Sequence, residues 1–169
     1  MSTHALIGMI LEDESIVSIY NHFDGYLEGL GNVLQENYNA AEKVLCLLLE
    51  GNVSSLGGTT EACEAVRRFG FDPLWTDGFE ALGKEEQIRL KEELYSGQYS
   101  KFYKRDRGDL CEDAKHMSNL EEWISDGLEE YNYLFVDGQW HVLTCEDDYE
   151  FVEFGLDTLL RDKLKKLVG

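Results

Sequence analysis

Within the run His22-Phe23-Asp24-Gly25-Tyr26 an imidazole, a carboxylate and a phenol fall inside one loop's length, with Glu28 two positions further on. Groups of these types transfer protons or hold a polar ligand when a scaffold presents them together, and the end of a strand is where scaffolds do so. The plainer reading is that Asp24-Gly25 makes a turn and that His22 and Tyr26 fill the sheet edge. A second constellation is Arg105-Asp106-Arg107-Gly108, where two guanidiniums beside a glycine can grip a phosphate or carboxylate bidentately. If Arg105 and Arg107 folded against His22, Asp24 and Tyr26, the five would form a polar pocket suited to a nucleotide. Alone, the arginines have enough neighbouring carboxylates to pair with. The sequence shows no nucleophile elbow, zinc-protease helix or phosphate loop, and no residue is assigned a catalytic role.

Carboxylates are the most abundant chemistry in the chain. The formal charge is −19, unevenly spread: residues 1–66 carry −9, residues 67–115 carry −1, residues 116–160 carry −12 with no base at all, and the last nine residues return +3. Glu121, Glu122, Asp126, Glu129 and Glu130 recur at spacings of three and four, which on one helix would place several along a common stripe. Glu146, Asp147, Asp148 and Glu150 would extend that patch. They lack the alternating oxygen ligands and central glycine of a calcium loop, so a solvated acidic turn is the expectation. His4, His116 and His141 have no metal-ligand spacing, and each reads as a sheet or surface histidine. No metal or cofactor is implied. A surface this negative repels phosphate backbones and excludes nucleic acid as a direct ligand over most of the molecule.

The elements that would position these groups follow from apolar periodicity. Thr3 to Glu12 and Glu14 to Tyr20 are two apolar, β-branched runs around an acidic turn, a β-hairpin. Leu27, Leu30, Val33 and Leu34, then Ala41, Val44, Leu45 and Leu48, recur at helical spacing, giving two helices broken near Asn37 to Asn39. Gly51 ends the second, and Asn52 to Gly58 reads as a glycine-serine loop closed by Thr59 or Thr60 capping a helix through Arg68. Phe69 to Leu82 lacks periodicity, Lys84 to Tyr95 is a charged helix, and Gln98 to Arg105 a strand. Ser118 to Glu121 has the form of a capping box opening a helix to about Glu130. Tyr131 to Val136 and Gln139 to Thr144 alternate around Asp137-Gly138, a second hairpin. Leu156 to Val168 closes the chain as a helix with Arg161, Lys163, Lys165 and Lys166 toward its negative end.

The expected fold is therefore a single α+β domain over 1–169, a mostly antiparallel sheet built from N- and C-terminal hairpins with helices on one face. Composition supports one ordered domain: 169 residues, 43% hydrophobic, a single proline. No apolar run approaches the ~20 residues a bilayer requires. With no leader pattern, a cytoplasmic location is expected. The four cysteines, Cys46, Cys63, Cys111 and Cys145, form no paired motif and read as reduced, mostly buried thiols.

The pattern Ser2-Thr-His-Ala-Leu-Ile-Gly8, Ser18-Ile-Tyr20, His22-Phe-Asp-Gly-Tyr26, Gly31 and Ser54-Ser-Leu-Gly57 resembles a family of small bacteriophage and prophage proteins. Phe23 and Leu27 depart from that family's usual His-Trp-Asp-Gly-Tyr-Pro. The similarity extends through Phe102 to Gly108, Tyr133 to Phe135 and Trp140. It implies an origin and no mechanism. With it, two uses of the chain come into view. One is an acidic phage inhibitor or modulator that binds a host defence or nucleic-acid-handling protein with a basic surface, in its extreme form as a DNA mimic. The other is a small-ligand protein, a nucleotide-signal sponge or an enzyme, using His22, Asp24, Tyr26, Arg105 and Arg107.

Overall fold

Asp13 sits at the centre of the first turn, and its carboxylate accepts from the Ser15 amide at 3.0 Å and the Ser15 hydroxyl at 2.5 Å. The turn closes through Leu11 N–H to Ser15 O and Glu14 N–H to Leu11 O, with Glu14 in the left-handed region. Strands β1 (Ala5–Ile10) and β2 (Ile16–Asn21) then pair antiparallel from Ile10↔Ile16 to Ala5↔Asn21. The computed structural model describes residues 2–146 and 148–150. The helix expected over 156–168 and Asp147 lie outside them.

A π-helical turn (Leu27–Gly31) runs into α1 (Asn32–Asn37), followed by α2 (Ala41–Leu49). Leu30, Leu34, Val44, Leu47 and Leu48 bury against Ala5, Ile7, Ile19, Tyr133, Phe135 and Trp140 of the sheet. After α2 the sequence suggested a loop, but Val53–Ser55 is strand β3. Its short polar side chains gave no apolar alternation; the strand exists because its neighbours complete its ladder. Asn21↔Val53 pairs it parallel to β2, and β4 (Lys101–Phe102) pairs on its far side.

Between them lies a helical lobe with its own small core of Ala62, Cys63, Ala65, Val66, Phe79 and Leu90. It comprises α3 (Glu64–Phe69), a 3₁₀ turn (Pro73–Trp75), α4 (Asp77–Glu80) and α5 (Lys84–Leu94). Neither Thr59 nor Thr60 caps α3, whose N-cap is Cys63 with no side-chain bond; the Thr59 hydroxyl accepts instead from the Glu61 amide. The aperiodic Phe69 to Leu82 stretch contains a true short helix, because Thr76 Oγ1 accepts from the Phe79 amide. The strand expected over Gln98 to Arg105 is two residues long. Tyr103–Arg107 forms α6 instead, with the Asp106 carboxylate turned back onto the Phe102 amide at 2.7 Å.

Strand β5 (Lys115–Met117) pairs with the start of β2, sharing that edge with β3. Helix α7 (Leu120–Ser125) ends five residues before the expected Glu130, and Gly127, at φ +116°, turns the chain away. The cap is shifted by one residue: Asn119 Oδ1 accepts from the Glu122 amide at 2.9 Å, while the Glu122 carboxylate reaches back past the N-cap to accept from the Ser118 amide at 2.5 Å. β6 (Tyr131–Val136) and β7 (Gln139–Glu146) form the second hairpin, with Asp137 and Gly138 both at positive φ as an Asp-Gly turn of this kind demands. β8 (Asp148–Glu150) returns along β7.

The fold is α+β, with the strand order β4-β3-β2-β1-β6-β7-β8 and β5 off β2. Among the described residues five of the seven pairings are antiparallel; β1–β6 and β2–β3 are parallel. Helices cover both faces rather than one. On the second face Leu120 and Trp123 of α7 pack on Ile16, Leu134 and Leu143, and the Trp123 indole donates to Ser18 Oγ at 3.0 Å. Cys63 is buried, but Cys46 and Cys111 are exposed, so mostly buried thiols do not describe this surface. No helix among the described residues is long and apolar enough to cross a membrane.

Candidate functional site

The first hairpin carries chemistry at both ends. At its open end the register that pairs Ala5 with Asn21 brings His4 beside His22, their ring centroids 4.7 Å apart, with Tyr20 next to them. The Tyr20 hydroxyl lies 2.7 Å from His4 Nδ1 and 2.8 Å from His22 Nδ1, and His4 Nδ1 is also 3.1 Å from the His22 carbonyl oxygen. A carbonyl only accepts, so the network assigns the proton to His4 Nδ1. Tyr20 therefore donates to His22 Nδ1, and the His22 proton sits on Nε2. Burial and the neighbouring His4 lower the His22 pKa below its ordinary value. Burial, with the charges of Glu129 and Glu130, pushes the Tyr20 hydroxyl up to about 12. Glu130 also accepts from the His4 amide at 3.1 Å.

Asp24 and Tyr26 do not join this network; both are exposed beyond it. Asp24 has φ 58°, and the loop is tied down by Phe23 N–H to Ser54 O, Gly25 N–H to Thr3 O and Leu30 N–H to Asp24 O. A Cβ on Gly25 would stand 2.7 Å from Thr3 O and 2.9 Å from Ala5 Cβ, so only glycine lets the loop lie this close to β1. Asp24-Gly25 is thus a fixed turn. The His–Tyr–His network clamps the strand ends from which that turn leaves.

The arginines serve their own lobe. Arg105 holds Asp106 bidentately at 2.9 and 3.0 Å and donates to the Thr60 and Ser100 carbonyls, lying over the Phe102 ring. Arg107 pairs with Asp109 at 2.5 Å and stacks over Phe71 and Tyr103. Each guanidinium is charge-neutralised locally, and neither bonds to His22, Asp24 or Tyr26. The nucleotide pocket that would have united the five residues is not formed.

The acidic residues are dispersed over several places rather than aligned in one stripe, because α7 ends at Ser125. Glu122 is spent on the helix cap, Asp126 pairs with Lys115 at 3.1 Å, and Glu129 and Glu130 lie toward the Tyr20–His4 network. Glu146 and Asp148 are backbone partners at the β7–β8 turn, and Glu150 is in register with Thr144.

At the closed end of the first hairpin Glu121 meets the other acidic block. A groove of about 800 Å³ runs between the β1–β2 turn, the β6–β7 turn and the first turns of α2 and α7. Met9, Ile10, Leu45, Leu120, Phe135 and Val136 make its floor, and the exposed carboxylates of Glu12, Glu14, Glu121 and Asp137 stand on its rim. No lysine or arginine is among the described residues that line it. Nothing in the sequence pattern marks Glu12, Glu14 and Asp137 as a site; their place on two tight turns at one end of the sheet is what assembles the rim. No family model, curated protein or solved structure matches the chain.

Proposed function

We propose that the chain is an acidic binding protein that captures a partner protein with a basic surface through the groove at the closed end of the first hairpin. One observation carries this reading: carboxylates from two segments far apart in sequence, 12–14 and 121–137, converge around a single apolar floor. Carboxylates that only kept the protein soluble would have no reason to ring an apolar trough. An apolar centre with a charged rim is the anatomy of a protein–protein interface, where the centre supplies affinity and the rim steers encounter and selects the sign of the partner.

The same anatomy favours protein binding over imitation of DNA. A duplex offers one phosphate per ~1.7 Å of axis and no exposed apolar trough between the charges. Here the trough is the centre of the site. With the phage-like sequence pattern, the partner would be a host protein and the site of action the host cytoplasm.

A photo-crosslinking residue at Leu45, 37% exposed in the groove, tests the reading against the same residue at Leu110, 85% exposed elsewhere. The expected result is a crosslinked basic protein from Leu45 alone, lost on adding salt. Crosslinks from Leu45 only to residues 161–169 of the same chain would assign the groove to the protein's own basic residues and overturn the proposal.

A further inference from the structure

A second concavity lies at the opposite end of β2, in the seam between the sheet and the helical lobe. This cleft of about 410 Å³ is lined on the sheet side by Phe23 and Asp24 and on the lobe side by Trp75, Tyr95 and Tyr99, with Lys101 and Asp72, paired with each other at 4.0 Å, also on its wall. Its size falls within the ~300–1,000 Å³ usual for small-molecule pockets, and seams between packed units are a common place for them. Trp75 is 86% exposed, Tyr95 73% and Phe23 44%, an unusual density of bared aromatic rings.

The lobe shows what such rings are used for. Arg68 lies over Phe69 at 4.9 Å, Lys101 over Phe71 at 4.3 Å, and Arg107 over Phe71 at 4.8 Å and Tyr103 at 4.6 Å. Lys101 combines its ring with a carboxylate, Asp72, at 4.0 Å. Among the described residues no cation covers Trp75, Tyr95 or Phe23. Among the described residues the Asp24 carboxylate that lines the cleft with them has no ion-pair partner, and its backbone is held at φ 58°, a left-handed conformation maintained by the surrounding loop bonds. Aromatic faces attract cations through their quadrupole, most strongly for tryptophan and when the cation sheds water easily.

We infer that this cleft is a binding site for a small organic cation with an alkylated ammonium head, seated on Trp75 and neighbouring rings and neutralised by Asp24. The site is separate from the acidic groove, and its occupant is a small molecule rather than a protein. The net charge of −19 concentrates such cations near the surface, and the rings and Asp24 select where they stay.

Choline and its uncharged isostere 3,3-dimethylbutan-1-ol are the probes. Trp123 and Trp140 are 1% and 6% exposed, so acrylamide quenching of emission reports on Trp75. Choline is expected to protect Trp75 saturably, with the alcohol binding about tenfold more weakly. Trp75→Ala and Asp24→Asn, both at exposed positions, are each expected to weaken choline binding in calorimetry by about three- to tenfold, with the circular dichroism spectrum unchanged. Equal binding of choline and the alcohol would reduce the cleft to an apolar patch. Choline binding unaffected by both substitutions, or no binding, would likewise overturn the proposal.

Discussion

His4 and His22 meet across 18 residues of sequence because the hairpin turns about Asp13. Once the turn is centred there, Leu6 must pair with Tyr20, and His4 falls opposite His22. That much was legible: two apolar runs around Glu12-Asp13-Glu14 fix the register, and a one-residue slip would expose the buried face. Reading the run His22 to Tyr26 by sequence proximity instead grouped the wrong partners, since neighbours along a strand end point in different directions. The network makes a pH prediction. The folded state holds His22 at a lowered pKa, so the unfolded chain binds more protons as pH falls through the ordinary value of 6.5. Stability should therefore rise with pH across that window and fall on acidification below it. Thermal midpoints measured against pH should show this slope, and His22→Asn should flatten it. Tyr20→Phe removes the bridging hydroxyl and should cost about 1 kcal/mol in denaturant unfolding. Since Arg105 and Arg107 are held by Asp106 and Asp109, calorimetry with a nucleotide panel should show no binding.

Among the elements, those with a strong local signal formed where periodicity and turn chemistry placed them: both hairpins, α1, α2 and α5. The misplaced ones depend on distant partners. β3 is a serine-bearing strand that exists because β2 and β4 complete its hydrogen bonds, and the parallel β1–β6 pairing joins segments about 125 residues apart, as in Ile7↔Tyr133. Neither can be read from a local pattern. α7 shows competition at closer range. Ser118 and Asn119 are both capping residues with a glutamate three positions on, and the pairing of β5 with β2 holds the chain extended through Met117. The helix therefore starts one residue later. Asn119→Ala should destabilise the protein by about 1 kcal/mol, whereas Ser118→Ala should be close to neutral. Denaturant titration of the two variants tests the assignment, and the reverse order would contradict it.

For the molecule as a whole, the charge that dominates the composition has three local uses and one collective one. Parts of it cap α7, pair with bases in the helical lobe, and lie beside the Tyr20–His4 network. What remains at the closed end of the first hairpin rings an apolar groove. The sequence announced two acidic blocks but not that Glu12 and Glu121 share a rim, because that follows from Leu120 and Trp123 of α7 packing in one cluster with Ile10 and Ile16, which flank the β1–β2 turn. The helical lobe, nearly neutral in sequence, spends its cations on its own carboxylates and rings, so among the described residues no lysine or arginine opposes the negative field at the groove. The most direct test of the account is association kinetics with the protein captured at Leu45, comparing the native chain with Glu12→Gln/Glu121→Gln/Asp137→Asn over a range of salt. Rim charges act on encounter, so at low salt the triple variant should associate about tenfold or more slowly, with a flatter salt dependence and a nearly unchanged dissociation rate. Identical association rates and salt slopes for the two proteins would contradict the claim that the acidic rim recognises the partner.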